Sequence, residues 1–139
     1  MRCLDANVWI YYFDATLPEH DGVASAVTDV LDDDPLFTTT VLQMEVVHYV
    51  DKQARDADQL IEQFLSLEDV HVADLTATDV VRASKILQSH PESGIGGRDA
   101  TVLAAMERYD VSELWTHDTG LHRVGDEINW LSVVDPVPD

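Results

Sequence analysis

The chain has 139 residues, 45% of them hydrophobic, which suits one domain with a core of its own, and its single cysteine excludes an internal disulfide. No apolar run approaches the roughly 20 residues of a membrane span, and the first residues lack the apolar stretch of a signal peptide, so we expect a cytoplasmic protein with no membrane partner. Acids outnumber lysines and arginines by 27 to 8, and the net charge of -19 indicates a domain that repels itself in dilute buffer.

The apolar pattern alternates between short strands and helices along the whole chain. In chain order it predicts a strand at 1–4, helices at 7–13 and 23–31, a strand at 36–39, helices at 41–50 and 57–67, a strand at 70–73, a helix ending near 89 and another at 99–109, and strands at 113–116 and 131–134. Thr76 and Asp79 resemble a capping box at the start of the fifth helix. This alternation implies an α/β fold with a parallel sheet covered on both faces, in one domain over residues 1–135 with a frayed end at 136–139.

The negative charge also bears on the host. At about 1 M salt the Debye length falls to about 3 Å, so most of the repulsion between surface acids is screened. We therefore expect a halophilic, haloarchaeal host. In dilute buffer the charge would argue against a nucleic-acid partner, whereas at high salt the net charge says little and local chemistry decides.

Four carboxylates lie in apolar surroundings where packing gives an acid no reason to be. Asp5 and Asp118 end predicted strands, Glu45 lies on the inward side of its helix, and Asp99 opens a helix behind the flexible Gly96–Gly97 pair. An ionised acid at a half-buried position is costly unless a positive charge meets it. Because ligands collect at the carboxyl ends of parallel strands, the four acids would meet at one edge if their strands are neighbours. Hard oxygen ligands of this kind favour Mg²⁺ or Mn²⁺.

Each acid also has an ordinary structural explanation. Asp5 and Asp99 are favoured residues for capping the helices that follow them, Glu45 could pair with an arginine, and Asp118 could form an Asx-type turn. None of the four decides the matter singly. Their combination is the argument for a shared site.

At this point the pattern resembles PIN-domain ribonucleases, and within them the VapC-type toxins of toxin–antitoxin pairs. The matching segments are Leu4-Asp5-Ala6-Asn7-Val8-Trp9-Ile10, Glu45 in its apolar helix, Gly97-Arg98-Asp99-Ala100 before a helix, and Thr116-His117-Asp118 followed by Leu121. The resemblance covers essentially the whole chain. Any single segment is weak, and the order, spacing and chain length together are fairly specific.

The resemblance implies a three-layer α/β/α sandwich and endonucleolytic cleavage of RNA with the help of a divalent metal. The implied metal ligands and catalytic residues are Asp5, Glu45, Asp99 and Asp118, which would hold one or two Mg²⁺ or Mn²⁺ ions, and the implied accessory polar residues are Asn7 and Thr116. It also implies a small antitoxin that covers the site, and frequent homodimers.

The acidic surface departs from the basic footprint that most RNA-binding proteins show. Arg98 and Arg123, close in sequence to Asp99 and Asp118, are the best candidates for contacts with RNA phosphates. His117 lies between the matching threonine and aspartate, where it could face either solvent or substrate. A toxin and an RNA-processing PIN protein are both compatible with these residues.

Three other functions are suggested by parts of the same pattern. A haloacid-dehalogenase-like phosphatase needs a second aspartate two residues after the first as its general acid, and Asn7 stands there instead. A response-regulator receiver needs a lysine after a late strand, but both lysines, Lys52 and Lys85, precede Asp99. A PIN fold that only binds a partner stays open, although loss of activity would be expected to remove at least one of the four acids.

Overall fold

Five short parallel strands form the central sheet of the structure, a computed structural model that describes residues 1–139. The strands are β1 (Arg2–Leu4), β2 (Leu36–Thr39), β3 (Val70–Ala73), β4 (Glu113–Trp115) and β5 (Ser132–Val134). The helices are α1 (Ala6–Phe13), α2 (His20–Asp33), α3 (Thr40–Gln53), α4 (Ala57–Leu65), α5 (Ala77–Ser89), α6 (Gly97–Arg108) and α7 (Thr119–Glu127). The predicted α/β/α sandwich with a central parallel sheet is confirmed. None of the seven helices has both the length and the apolar character that a bilayer crossing requires.

The strand order is β3-β2-β1-β4-β5. The chain therefore winds outward from β1 through β2 to β3, and then returns to the other side of β1 with β4 and β5. Leu4 pairs with Trp115 at the carboxyl ends of β1 and β4. This reversal is the switch point at which open parallel sheets form their ligand sites. The residues that follow β1 and β4, Asp5 and Thr116, are thereby placed side by side.

The strands at the centre of the sheet are buried on both faces. Cys3 and Leu4 of β1, Phe37 of β2 and Leu114 of β4 are all buried in one hydrophobic core. Strands covered by helices on both faces read as continuous apolar runs rather than as alternating ones. That is why these segments could be predicted from the sequence in spite of their short length.

The start of α5 confirms the predicted capping box. Thr76 Oγ1 accepts a hydrogen bond from Asp79 N at 3.1 Å, and Asp79 Oδ2 accepts one from Thr76 N at 3.2 Å. Arg108, at the end of α6, donates to the Asp79 carboxylate through Nε and Nη2, both at 2.9 Å. The same carboxylate therefore caps α5 and ties it to α6, the helix that carries Asp99 in its first turn.

Helix α7 was not predicted from the sequence, because two glycines in nine residues lower its intrinsic helix propensity. It is stabilised instead by packing: Leu121 and Val124 are buried in the core. A Cβ atom at Gly125 would lie 2.5 Å from Val133 Cγ2, so the glycine lets α7 approach β5 closely. Tertiary contacts override local preference here.

Other boundaries differ by a few residues. Helix α2 begins at His20 rather than at Val23, because its first turn is polar and the apolar period starts only at Val23. Gly96 is the N-cap of α6, so Asp99 lies within the first turn of the helix and does not cap it. The domain limit at residue 135 and the fraying of residues 136–139 stay predictions.

Candidate active site

Asp5 is the most constrained of the four acids. It is the N-cap of α1, where its Oδ1 accepts a hydrogen bond from Ala6 N at 2.8 Å, and its side chain is almost wholly buried. Its Oδ2 accepts a hydrogen bond from Thr116 Oγ1 at 2.7 Å. Burial raises the pKa of the Asp5 carboxyl, and the hydrogen bonds from Thr116 and Ala6 lower it in part. Asp5 therefore both caps α1 and places a carboxylate in the candidate site.

Thr116 and Asn7 join the ends of β1 and β4. The buried Thr116 hydroxyl, which donates to Asp5, accepts hydrogen bonds from Asn7 Nδ2 at 3.2 Å and from Asp118 N at 3.0 Å. Asn7 Nδ2 also lies 3.4 Å from Asp5 Oδ2, and Asn7 Oδ1 accepts from His117 N at 3.3 Å. These bonds fix the direction in which the Asp5 carboxylate points.

Asp118 lies at the exposed end of the same network. It caps α7, with Oδ1 accepting hydrogen bonds from Gly120 N at 2.7 Å and from Leu121 N at 3.2 Å. Both bonds are made by Oδ1. The predicted Asx-type turn is thus the first turn of a helix, and the carboxylate remains open to solvent on its other side.

Asp99 carries the clearest sign that these acids face one another. Its pKa is raised from 3.8 to about 6, first by burial and then by the negative charges of Asp5 and Asp118. A hydrogen bond from the Gly96 backbone and the charge of Arg98 oppose this rise without cancelling it. Three carboxylates from three separate elements therefore repel one another across one small region.

Glu45 is the fourth acid, and it comes from the middle of α3. Burial raises the pKa of its carboxyl, and the Asp99 charge adds to the rise, whereas Arg98 lowers it. Arg98 Nε lies 3.5 Å from Glu45 Oε1, and the Arg98 side chain is 75% exposed. An arginine partner for Glu45 was one of the two explanations left open from the sequence, and the structure contains that partner.

The donor chemistry of this region fits a hard divalent cation, because every acid offers carboxylate oxygens and the mutual repulsion needs a counter-charge. As the side chains stand, no three acids, histidines or cysteines are close enough together to hold one ion. Glu45 is turned toward Arg98, and Asp118 Oδ1 is engaged by the α7 backbone. An ion held by the four acids would therefore compete with Arg98 for Glu45.

Arg123, predicted as a phosphate contact, and His122 both lie on α7. Arg123 Nη1 donates to Ser93 O at 3.4 Å, in the loop before α6, and Arg123 forms no ion pair with the four acids. His122, which was not singled out, places its Nε2 2.8 Å from Thr116 O. Only knowledge of α7 would have placed His122 one turn after Asp118, facing the end of β4.

The comparisons with known proteins concern the family and the fold. A model of the PIN domain matches residues 2–127. Among solved structures, VapC20 of Mycobacterium tuberculosis, a toxin that cleaves the sarcin–ricin loop, is similar with a TM-score of 0.74 and 17% identity, over 88% of this chain and 95% of that one. VapBC2 from Rickettsia felis, bound to a promoter DNA fragment, is similar with a TM-score of 0.71 and 14% identity, over 96% and 97%.

VapBC-1 from nontypeable Haemophilus influenzae has a TM-score of 0.68 and 18% identity, over 99% of this chain and 98% of that one. At these identities the likeness concerns the fold. No curated protein sequence matches the chain. Since the family model spans residues 2–127 of 139, the chain belongs to the PIN domain family.

Proposed function

We propose that this protein is a metal-dependent endoribonuclease, the toxin of a toxin–antitoxin pair, which hydrolyses RNA phosphodiesters at the cluster of Asp5, Glu45, Asp99 and Asp118. The observation that carries the proposal is the placement of Asp5 and Asp118 at the paired carboxyl ends of β1 and β4, where both are hydrogen-bonded to Thr116. Their charges, together with burial, raise the pKa of Asp99 to about 6. Strongly perturbed titratable groups collect at functional sites. A cluster of acids with only a structural role would lower the stability of the fold without any compensating benefit.

The ions that suit these donors are Mg²⁺ and Mn²⁺, held by the four carboxylates. When bound, such an ion would polarise the phosphodiester, activate water and balance charge on the leaving oxygen. The residues of the chain supply the rest. Thr116 and Asn7 orient Asp5, and Arg98 is free to contact an RNA phosphate once Glu45 turns away from it. In the metal-free protein Asp99 would take up a proton below about pH 6, and protons would then compete with an ion for this carboxylate.

The partners follow from the same comparison. Two of the similar solved structures are VapBC complexes, and this supports a small antitoxin as the partner of this chain. A homodimer and a cytoplasmic location are part of the proposal. Arg123, held against Ser93, would reach RNA only if the substrate extends over α7.

The alternatives have less support. Asn7 uses its amide nitrogen on Asp5 and Thr116, and an amide cannot serve as the general acid of a phosphatase. A PIN fold that only binds a partner would have no use for the mutual repulsion of Asp5, Asp99 and Asp118.

The proposal is tested with Asp99→Asn and a matched control, Asp126→Asn, which removes the same charge from an exposed position on α7. Cleavage of labelled RNA is followed in molar KCl with Mn²⁺ or Mg²⁺, and again with EDTA. We expect the parent and Asp126→Asn to cleave only with metal, and Asp99→Asn to lose cleavage while keeping its fold by circular dichroism. Cleavage by Asp99→Asn at the parent rate would refute the site.

A further inference from the structure

A groove of about 300 Å³ opens beside Glu45 and follows α3 toward its carboxyl end. We call it the α3 groove, and its lining includes Ile10, Glu45, His48, Tyr49, Lys52 and Arg98. The members from α3 are spaced three, four and seven residues apart, so they share one face of the helix. The groove therefore begins at a proposed catalytic acid and continues away from it.

The charge of the α3 groove is opposite to that of the protein. The whole chain carries -19, whereas this groove has two cations, Lys52 and Arg98, against one acid, Glu45. By comparison, the groove beside Asp14 has an excess of acids like the whole chain, because Asp14 and Asp56 outnumber its one cation, Arg55. In so acidic a chain, two cations in one groove that adjoins the site are a local exception.

Lys52 is also free to act on something outside the protein. Arg2, Arg82, Arg98 and Arg108 each pair with an acid, but none of the ion pairs in the structure involves Lys52. An exposed lysine in the last turn of α3 also complements the partial negative charge of that helix end. That ordinary role explains a cation at this position, although not its place in a groove that leads from Glu45.

The distance between Glu45 and Lys52 suits an extended polyanion. Seven residues of α-helix rise by about 10 Å, so Lys52 lies about two turns from the proposed cleavage point. Between them, His48 and Tyr49 offer ring surfaces of the kind on which single-stranded bases stack. Tyr49 is held in place because its hydroxyl donates to Asp14 Oδ2 at 2.7 Å.

We propose that the α3 groove binds the single-stranded RNA next to the cleaved phosphodiester, with Lys52 contacting a neighbouring phosphate. The inference rests on the proposed ribonuclease function and adds to it a path for the substrate. It assigns Lys52 to substrate binding, away from the reacting atoms. Loss of Lys52 should consequently raise KM and leave kcat near the parent value.

The two lysines of the chain provide a matched pair for the test. Lys52→Gln and Lys85→Gln remove the same charge from exposed helical positions, but Lys85, on α5, does not line the α3 groove. Binding of a fluorescein-labelled, mixed-sequence single-stranded RNA is measured by anisotropy over a KCl series, with every protein carrying Asp99→Asn so that the RNA stays intact. Lys52→Arg is included because it keeps the charge.

We expect Lys52→Gln to flatten the plot of log affinity against log salt by about 0.7, the loss of one phosphate contact to a single strand. For every fourfold rise in KCl, the ratio of the parent's affinity to that of Lys52→Gln should therefore fall by about 2.6-fold. Lys85→Gln should keep the parent slope, and Lys52→Arg should restore it. With Asp99 intact, Lys52→Gln should raise KM and Lys85→Gln should not.

Equal slopes for Lys52→Gln and Lys85→Gln, in a protein whose parent cleaves RNA, would overturn the assignment of the groove and leave the proposed function standing. A fall in kcat without a rise in KM would overturn it as well. If the parent neither binds nor cleaves RNA, the proposed function fails and the groove assignment fails with it.

Discussion

Replacing Asp99 by asparagine should stabilise the metal-free protein at neutral pH, even though the proposed function predicts that it abolishes cleavage. Raising the pKa of Asp99 from 3.8 to about 6 corresponds to about 3 kcal/mol of unfavourable free energy for its charged form, at 1.36 kcal/mol per pH unit. Because the carboxyl is partly exposed, solvent screening reduces this to about 1–2 kcal/mol. Asparagine keeps the shape of the side chain and carries no charge.

The dependence on pH has a definite sign. The folded protein binds the Asp99 proton more tightly than the unfolded chain, so the stability contributed by the protonated form is fully present below about pH 3.8 and is lost as the pH rises through about 6. The parent should therefore lose about 1–2 kcal/mol more than Asp99→Asn across this range. Titrating groups that do not interact with Asp99 cancel in the difference, whereas the repulsion of Asp99 by neighbouring acids such as Asp5 and Glu45 is part of the difference that is measured.

The assay is urea unfolding in EDTA and constant high KCl, from about pH 4 to about pH 8. Adding Mg²⁺ at the upper end should then stabilise the parent more than the variant, because only the parent keeps the full ligand charge. A difference in unfolding free energy that does not change with pH would refute the reasoning. So would a variant that becomes less stable than the parent as the pH rises.

Three further predictions concern other parts of the structure. Thr116→Val should lower the unfolding free energy by about 1–3 kcal/mol, because Asp5 and Asp118 lose their hydrogen bonds to the hydroxyl. It should also reduce RNA cleavage. Urea unfolding and a cleavage assay measure the two effects, and unchanged values would contradict the role given to this hydroxyl. Gly125→Ala should lower the free energy of unfolding by about 1–3 kcal/mol, because the added methyl group clashes with Val133, and should leave cleavage per folded molecule unchanged. A variant as stable as the parent in urea unfolding would contradict the close packing of α7 on β5. The thermal unfolding midpoint should rise from dilute buffer to molar KCl as repulsion within the -19 chain is screened, whereas a sharp transition that does not move would argue against a halophilic host.

The α/β architecture could be predicted because local signals and tertiary environment agree in most of the chain. The bounds predicted for β2 and β3 are the observed ones, since each is a short segment rich in β-branched and aromatic residues that is followed by turn or capping residues. The capping box at Thr76 could likewise be read directly. Helix α7 could not be predicted from local signals. Its two glycines leave room for Ser93 and Val133, and these close approaches depend on the tertiary packing.

Sequence alone supplies the residues proposed for the candidate site, and the contacts among them come only from the structure. Sequence suggests that acids at strand ends meet only if their strands are neighbours, and strand order depends on long-range pairing between β1 and β4. The partnership of Glu45 with Arg98 depends on the packing of α3 near α6. The contact of Arg123 with Ser93 depends on α7, which local propensity does not indicate.

The hydrogen bond between Asp5 and Thr116 joins residues 111 positions apart. The first half of the site is therefore synthesised long before the second, and β1 has no β4 to pair with until most of the chain exists. A nascent chain that ends before β4 therefore holds an incomplete set of these carboxylates. If the proposed ribonuclease function holds, the winding of the sheet keeps the chain inactive until most of it has been synthesised.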